Sequence, residues 1–213
     1  MEEQLREQVA RGVAWSMAEK IGSMLSMTAV RLVILNLLEP RIFGCFAIPS
    51  AVAAVAMVVA DSGFSQNLIR RRDPGLRDYK AVFVFNMALS SVLYVLLALL
   101  APVAARYYGM PEIARIAPVF LLLLPLSSLC SVQNAIFTRQ FRFALLSKVN
   151  FLSSFVSGLA AVALAALGCG IWSLVAERLL AMGVRAALLW RFSDWHPSGR
   201  FSAAPLREMA PFS

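Results

Sequence analysis

Six apolar runs, each near the length that crosses a bilayer, constrain this chain more than any other feature. They cover residues 12–38, 42–64, 81–105, 116–137, 149–168 and 170–190. A hydrocarbon core of ~30 Å needs about 20 residues of helix. Inside lipid every backbone amide and carbonyl must be paired within the segment, so such runs are helices. The expected fold is therefore all-α: a polytopic membrane protein built as a bundle of six transmembrane helices. With 60% hydrophobic and 15% charged residues, a soluble domain is excluded. Glu39-Pro40-Arg41 and Gly168-Cys169-Gly170 leave so little chain that the helices they join must be antiparallel neighbours. The first run follows Glu2, Glu3 and Glu7, is broken by Glu19-Lys20 and shows no small-x-small cleavage pattern, so it reads as a retained helix.

The net charge of +8 is placed asymmetrically. Arg6, Arg11, Arg70, Arg71, Arg72, Arg77, Lys80, Arg139, Arg142, Lys148, Arg191, Arg200 and Arg207 fall on the amino-terminal side of a six-helix topology. Arg41, Arg106 and Arg115 fall on the other. Lys and Arg concentrate on the cytoplasmic side of membrane proteins, which places both termini in the cytoplasm. The same count assigns the positive charge to membrane topology and not to nucleic acid.

Lys20, Arg31, Arg178 and Arg185 lie within the helices instead. A cation at the middle of a membrane helix costs at least ~2.5–3.5 kcal/mol on insertion scales, and such residues usually face a bundle interior or watery cavity. Lys20 and Arg31 are eleven residues apart, about 20° past three turns, so they share a stripe. Arg178 and Arg185, seven apart, share a face of the sixth helix. Two readings stand for the first pair, cavity lining or snorkelling to opposite interfaces. Two stand for Glu177: a partner for Arg31 at similar depth, or a local surface pair with Arg178. If these cations converge, they outnumber the carboxylates Glu177 and Asp61, and the cavity suits a phosphate or diphosphate. Asp61 and Glu177 are also the candidates for coupling to a proton or sodium gradient.

Two helices carry further irregularities. Ser153, Ser157, Ala161 and Ala165 form a four-residue ladder of small side chains that lets a neighbouring helix approach closely. Pro118 and Pro125 precede Ser127, Ser128, Ser131, Gln133 and Asn134 in the fourth helix, a pattern compatible with packing irregularity or with a switching bend. Cys45, Cys130 and Cys169 suggest neither a disulfide framework nor a metal site, and the single His196 offers no catalytic dyad. No catalytic residue, metal or cofactor is expected, and the chain reads as a non-enzyme.

Leu37-Leu38-Glu39-Pro40-Arg41-Ile42-Phe43-Gly44, Asp61-Ser62-Gly63-Phe64-Ser65-Gln66-Asn67-Leu68-Ile69-Arg70-Arg71, Ala105-Arg106-Tyr107-Tyr108-Gly109-Met110-Pro111-Glu112 and Gly168-Cys169-Gly170-Ile171-Trp172-Ser173-Leu174-Val175 together carry a resemblance. In this order they resemble the polysaccharide (O-antigen/exopolysaccharide) flippases of the multidrug/oligosaccharidyl-lipid/polysaccharide exporter superfamily. The resemblance implies two lobes of helices around a central cavity, moving a polyprenyl-diphosphate-linked oligosaccharide across the bacterial inner membrane. Lys20, Arg31, Arg178 and Arg185 then take the place of substrate-binding cavity cations. Family members are about twice as long. Residues 1–202 are accordingly expected to form the amino-terminal lobe and 203–213 the start of a truncated seventh helix. The implied partners are the lipid-linked oligosaccharide, membrane lipids, a missing carboxy-terminal lobe or a second copy, and the polysaccharide polymerase machinery, with no nucleic acid. A non-transporting scaffold of a polysaccharide assembly complex and a drug exporter of the same superfamily are the alternatives.

Overall fold

The computed structural model describes residues 22, 24, 28, 30, 32–61, 68, 75–193 and 195. Among the described residues, 32–37 are helical, and six helices follow: α1 (Pro40–Asp61), α2 (Leu76–Tyr108), α3 (Pro111–Phe120), α4 (Leu123–Arg139), α5 (Phe143–Ala166) and α6 (Ile171–Phe192). Among the described residues four stretches are long and apolar enough to cross a membrane: α1, α2 from Asp78 onward, α3 and α4 taken together as Pro111–Arg139, and α5. The protein is thus an all-α, multi-pass membrane protein. Its sixth helix has the 22 residues needed, but Glu177, Arg178, Arg185 and Arg191 keep it out of that apolar set. Most of the first apolar run, and the whole of 203–213, lie outside the described residues.

The helix ends revise the loops expected from hydropathy. The third run starts at Leu76, five residues ahead of position 81, because the Gly75 amide donates to Asp78 Oδ2 at 2.9 Å and closes the helix start. Lys80 and Asp78 are therefore helical, and α2 reaches 33 residues, about 50 Å at 1.5 Å per residue. Its other end closes on Gly109, at φ +65°, with the Met110 amide donating to the Ala105 carbonyl at 3.0 Å. Pro111 then opens α3 at once, so Arg106, Glu112 and Arg115 belong to helix ends and only Gly109-Met110 remain between them. At the next turn Phe141 takes the left-handed conformation, φ +53°, that glycine usually supplies, and the Arg142 amide reaches the Phe137 carbonyl at 3.0 Å. Helix α5 begins at Phe143 and not at 149, which draws Lys148 into it.

The fourth run is broken in two. Pro125 has no amide hydrogen to give the Leu121 carbonyl. That carbonyl instead accepts from the Leu124 amide at 2.9 Å, while the Leu122 amide turns to Val119 at 3.2 Å. These tighter three-residue bonds separate α3 from α4 at Leu121-Leu122. The expected bend is a discontinuity.

Small and polar side chains hold the bundle where apolar attraction between helices is absent. Ala161 and Ala165 of the α5 ladder are buried against Ile34, Leu38 and Leu174. A Cβ at Gly158 would come within 3.2 Å of a Val30 methyl. Ser153 and Ser157 are buried on the same face, while Phe151, Phe155 and Leu159 point outward. Between α2 and α4, Ser90 Oγ donates to Ser128 Oγ at 3.2 Å and Asn86 Nδ2 to Ser131 Oγ at 3.2 Å. The end of the bundle that carries Lys80, Arg139 and Arg191 is closed by Tyr79, Phe83, Trp190 and Trp195, with ring centroids 5.7–6.4 Å apart. There Trp190 Nε1 donates to the Leu129 carbonyl at 3.0 Å and Arg139 Nη1 to the Leu68 carbonyl at 3.1 Å.

Candidate functional site

Gly170, φ +55°, immediately precedes helix α6, and Ser173 Oγ donates back to the Gly170 carbonyl at 2.7 Å. From that start the seven-residue spacing brings Arg178 and Arg185 onto one face, about 10 Å apart along the axis. Both line a cavity of about 510 Å³ between α1, α3, α4, α5 and α6. Ser50, Asn150, Ser153 and Ser154 supply its other polar groups, and Phe46, Met57, Phe120 and Met182 its apolar ones. No carboxylate is found among the described residues lining it, so its walls carry two positive charges.

Arg178 is exposed and Arg185 half-buried. Arg185 Nη2 donates to Asn134 Oδ1 at 3.1 Å, whereas its Nε is buried with no hydrogen-bond partner among the described residues. A buried donor without an acceptor is costly. Arg178 is exposed and free to turn its planar fork toward an anion, while Arg185, held by Asn134, adds a second positive charge on the same wall.

Arg185 also faces a second cavity of about 310 Å³, which shares Met57 and Met182 with the first. Asp61 lines this one, so its charges balance. The structure therefore brings Arg178 together with Arg185, and Arg185 together with Asp61. Glu177 is half-buried and lines neither cavity. Lys20 and Arg31, and with them the expected pairing of Arg31 with Glu177, lie outside the described residues. Cys45 and Cys130 are free and buried, with their thiols against the thioethers of Met110 at 3.6 Å and Met182 at 3.8 Å, and Cys169 is free.

Sequence reasoning passed over the polar lining supplied by Asn86 and Asn150. It noted Ser127, Ser131 and Asn134 only as polar residues after a proline. Their spacing of four and then three residues was the available signal, since it places all three on one face of α4.

The fold is thus that of a multi-pass helical membrane protein with a cavity whose described lining carries two arginines and no carboxylate. Residues 33–213 match the family described as polysaccharide biosynthesis protein, and the chain belongs to that family. It is 27% identical over 205 residues to the succinoglycan biosynthesis transport protein ExoT of Rhizobium meliloti (strain 1021), an alignment covering 96% of this chain and 42% of that protein. It is 25% identical over 160 residues to the teichuronic acid biosynthesis protein TuaB of Bacillus subtilis (strain 168), covering 74% of this chain and 33% of that one. The chain thus spans less than half the length of either relative. No solved structure matches it.

Proposed function

We propose that this chain is the amino-terminal lobe of an inner-membrane flippase that carries a polyprenyl-diphosphate-linked oligosaccharide from one leaflet to the other without chemical change. One observation carries the reading: Arg178 and Arg185 face a single cavity within the bundle whose described lining holds no carboxylate. Moving a diphosphate through a bilayer requires its charge to be matched along the way, and two guanidiniums inside the bundle can do this where lipid cannot. Membership of the polysaccharide biosynthesis family and the transport role in the name of one relative support the same direction. A cationic drug would meet repulsion in this cavity, which disfavours a drug-export role. The second lobe comes from additional chain or from another copy of this one, and the polysaccharide polymerase machinery is the natural recipient of the cargo.

Loss of the protein in its own host should leave lipid-linked oligosaccharide accumulated on the inner leaflet while its synthesis continues, measured by accessibility of the glycan to an impermeant lectin. Unchanged delivery to the outer leaflet would overturn the proposal. Orientation has a separate test. Reporter fusions at Phe141 should report cytoplasm and fusions at Met110 the outside, because Arg139, Arg142 and Lys148 sit near one end of the bundle and Met110 at the other. A cytoplasmic signal at Met110 would reverse the topology.

A further inference from the structure

We infer that the smaller cavity is a sugar subsite, which receives the saccharide unit attached to the diphosphate held in the larger one. The inference rests on the flippase reading above and adds to it a division of labour between the two cavities. They differ in charge, size and lining. The larger one, about 510 Å³, has two guanidiniums and no carboxylate among its described lining residues. The smaller one, about 310 Å³, takes its charged groups from Asp61 and Arg185, so one negative group offsets one positive, and its other polar groups from Asn86, Asn134 and serines of α4 on an otherwise apolar lining. A neutral polyol fits such a lining better than an ion does. The carboxylate accepts only, the guanidinium donates only, the amides do both, and the Ser127 and Ser131 hydroxyls, whose protons go to backbone carbonyls of α4, accept, which together make the mixed set that sugar hydroxyls require. An anion would meet Asp61 and a metal cation would meet Arg185. The volume sits at the lower end of small-molecule pockets, enough for one sugar ring with some water.

Position supports the assignment as strongly as chemistry. Ser127, Ser131 and Asn134 recur on one face of α4 and present three polar groups along a single wall. All three are already oriented by neighbours, Ser127 Oγ by the Leu124 carbonyl at 2.7 Å, Ser131 Oγ by Asn86 Nδ2 at 3.2 Å and Asn134 Oδ1 by Arg185 Nη2 at 3.1 Å, so little ordering remains to be done on binding. Arg185 is common to both cavities. A group held by Arg178 and Arg185 in the larger cavity has its attached saccharide next to the smaller one, with Arg185 touching both parts at the glycosyl phosphate.

The test compares two probes on the protein as its host expresses it, purified in detergent: farnesyl diphosphate, and the same lipid carrying one hexose on its terminal phosphate. The wild type should bind the hexosyl lipid about tenfold more tightly, the gain expected from a few well-placed hydrogen bonds. S127L and S131L, which fill the cavity without removing a charge, should each abolish that preference and leave affinity for farnesyl diphosphate unchanged. N134A should reduce the preference in the same direction without adding bulk, which guards against a misfolded leucine variant; thermal unfolding of each variant reports its integrity. Equal affinity of the wild type for the two probes would overturn the subsite while leaving the flippase reading in place. So would a parallel loss of both affinities in folded S131L, since the cavity would then belong to the phosphate site. Failure of the wild type to bind either probe would remove the flippase reading and the subsite with it.

Discussion

Replacing Arg178 with alanine should cut delivery of polysaccharide to the cell surface about tenfold or more while leaving the quantity of protein in the membrane unchanged. Hydrogen bonds to a charged group contribute about 1.5–3 kcal/mol, and 1.4 kcal/mol corresponds to a factor of ten. Arg178 is the residue on which this effect reads most cleanly, because its side chain is exposed in the cavity and its loss leaves no buried partner behind. Arg185→Ala should be at least as damaging to export but should also destabilise the bundle, since Asn134 Oδ1 loses its donor. Arg178→Lys should recover part of the activity by keeping the charge, and not all of it, because the planar fork is gone. The measurements are surface polysaccharide and membrane abundance for each variant. Normal export by the double variant Arg178→Ala/Arg185→Ala would end the anionic-cavity account.

Ala161→Leu should act on the other side of the ledger, lowering the yield of folded protein before any question of transport arises. Ala161 is fully buried, 0% exposed, at a contact where α5 meets Ile34 of the leading helical segment, Leu38 just after it and Leu174 of α6. Overpacking a site of this kind costs about 1–3 kcal/mol when the neighbours can move and more when they cannot. Here the close approach of Val30 to Gly158 one turn away leaves them little room. The midpoint of thermal unfolding should fall by about 5 °C or more. Leu159→Phe adds comparable bulk to a position 55% exposed and should change little. If the two variants unfold alike, the small-residue face of α5 is not a packing surface.

The α5 ladder was legible because its signal is strictly local: four small residues at helical spacing can only form a stripe, and the structure buries that stripe. Pairing of Arg178 with Arg185 was legible for the same reason, since seven residues of helix fix their relative direction. Helix ends were read less well. Hydropathy marks where lipid contact stops and not where hydrogen bonding stops, so α2 and α5 begin several residues before their apolar runs do. The break at Leu121-Leu122 escaped because Pro118 and Pro125 alone do not reveal which carbonyl is released or how it is satisfied. Asn86 and Asn150 were passed over as single amides in apolar runs, where only the placement of other helices shows that they face a cavity. Trp190 and Trp195, which meet Tyr79 and Phe83 across more than a hundred residues of chain, had no local signal at all.

Arg185 is a single side chain common to two compartments, and this makes their contents thermodynamically dependent. A ligand in one that draws the guanidinium toward itself alters what the other can bind, and linkage requires the influence to run equally in both directions. On the proposed division of the two cavities, a head group carrying phosphate without glycan, or glycan without phosphate, meets a site tuned for the absent half, and discrimination between a finished cargo and its fragments becomes a property of the shared arginine.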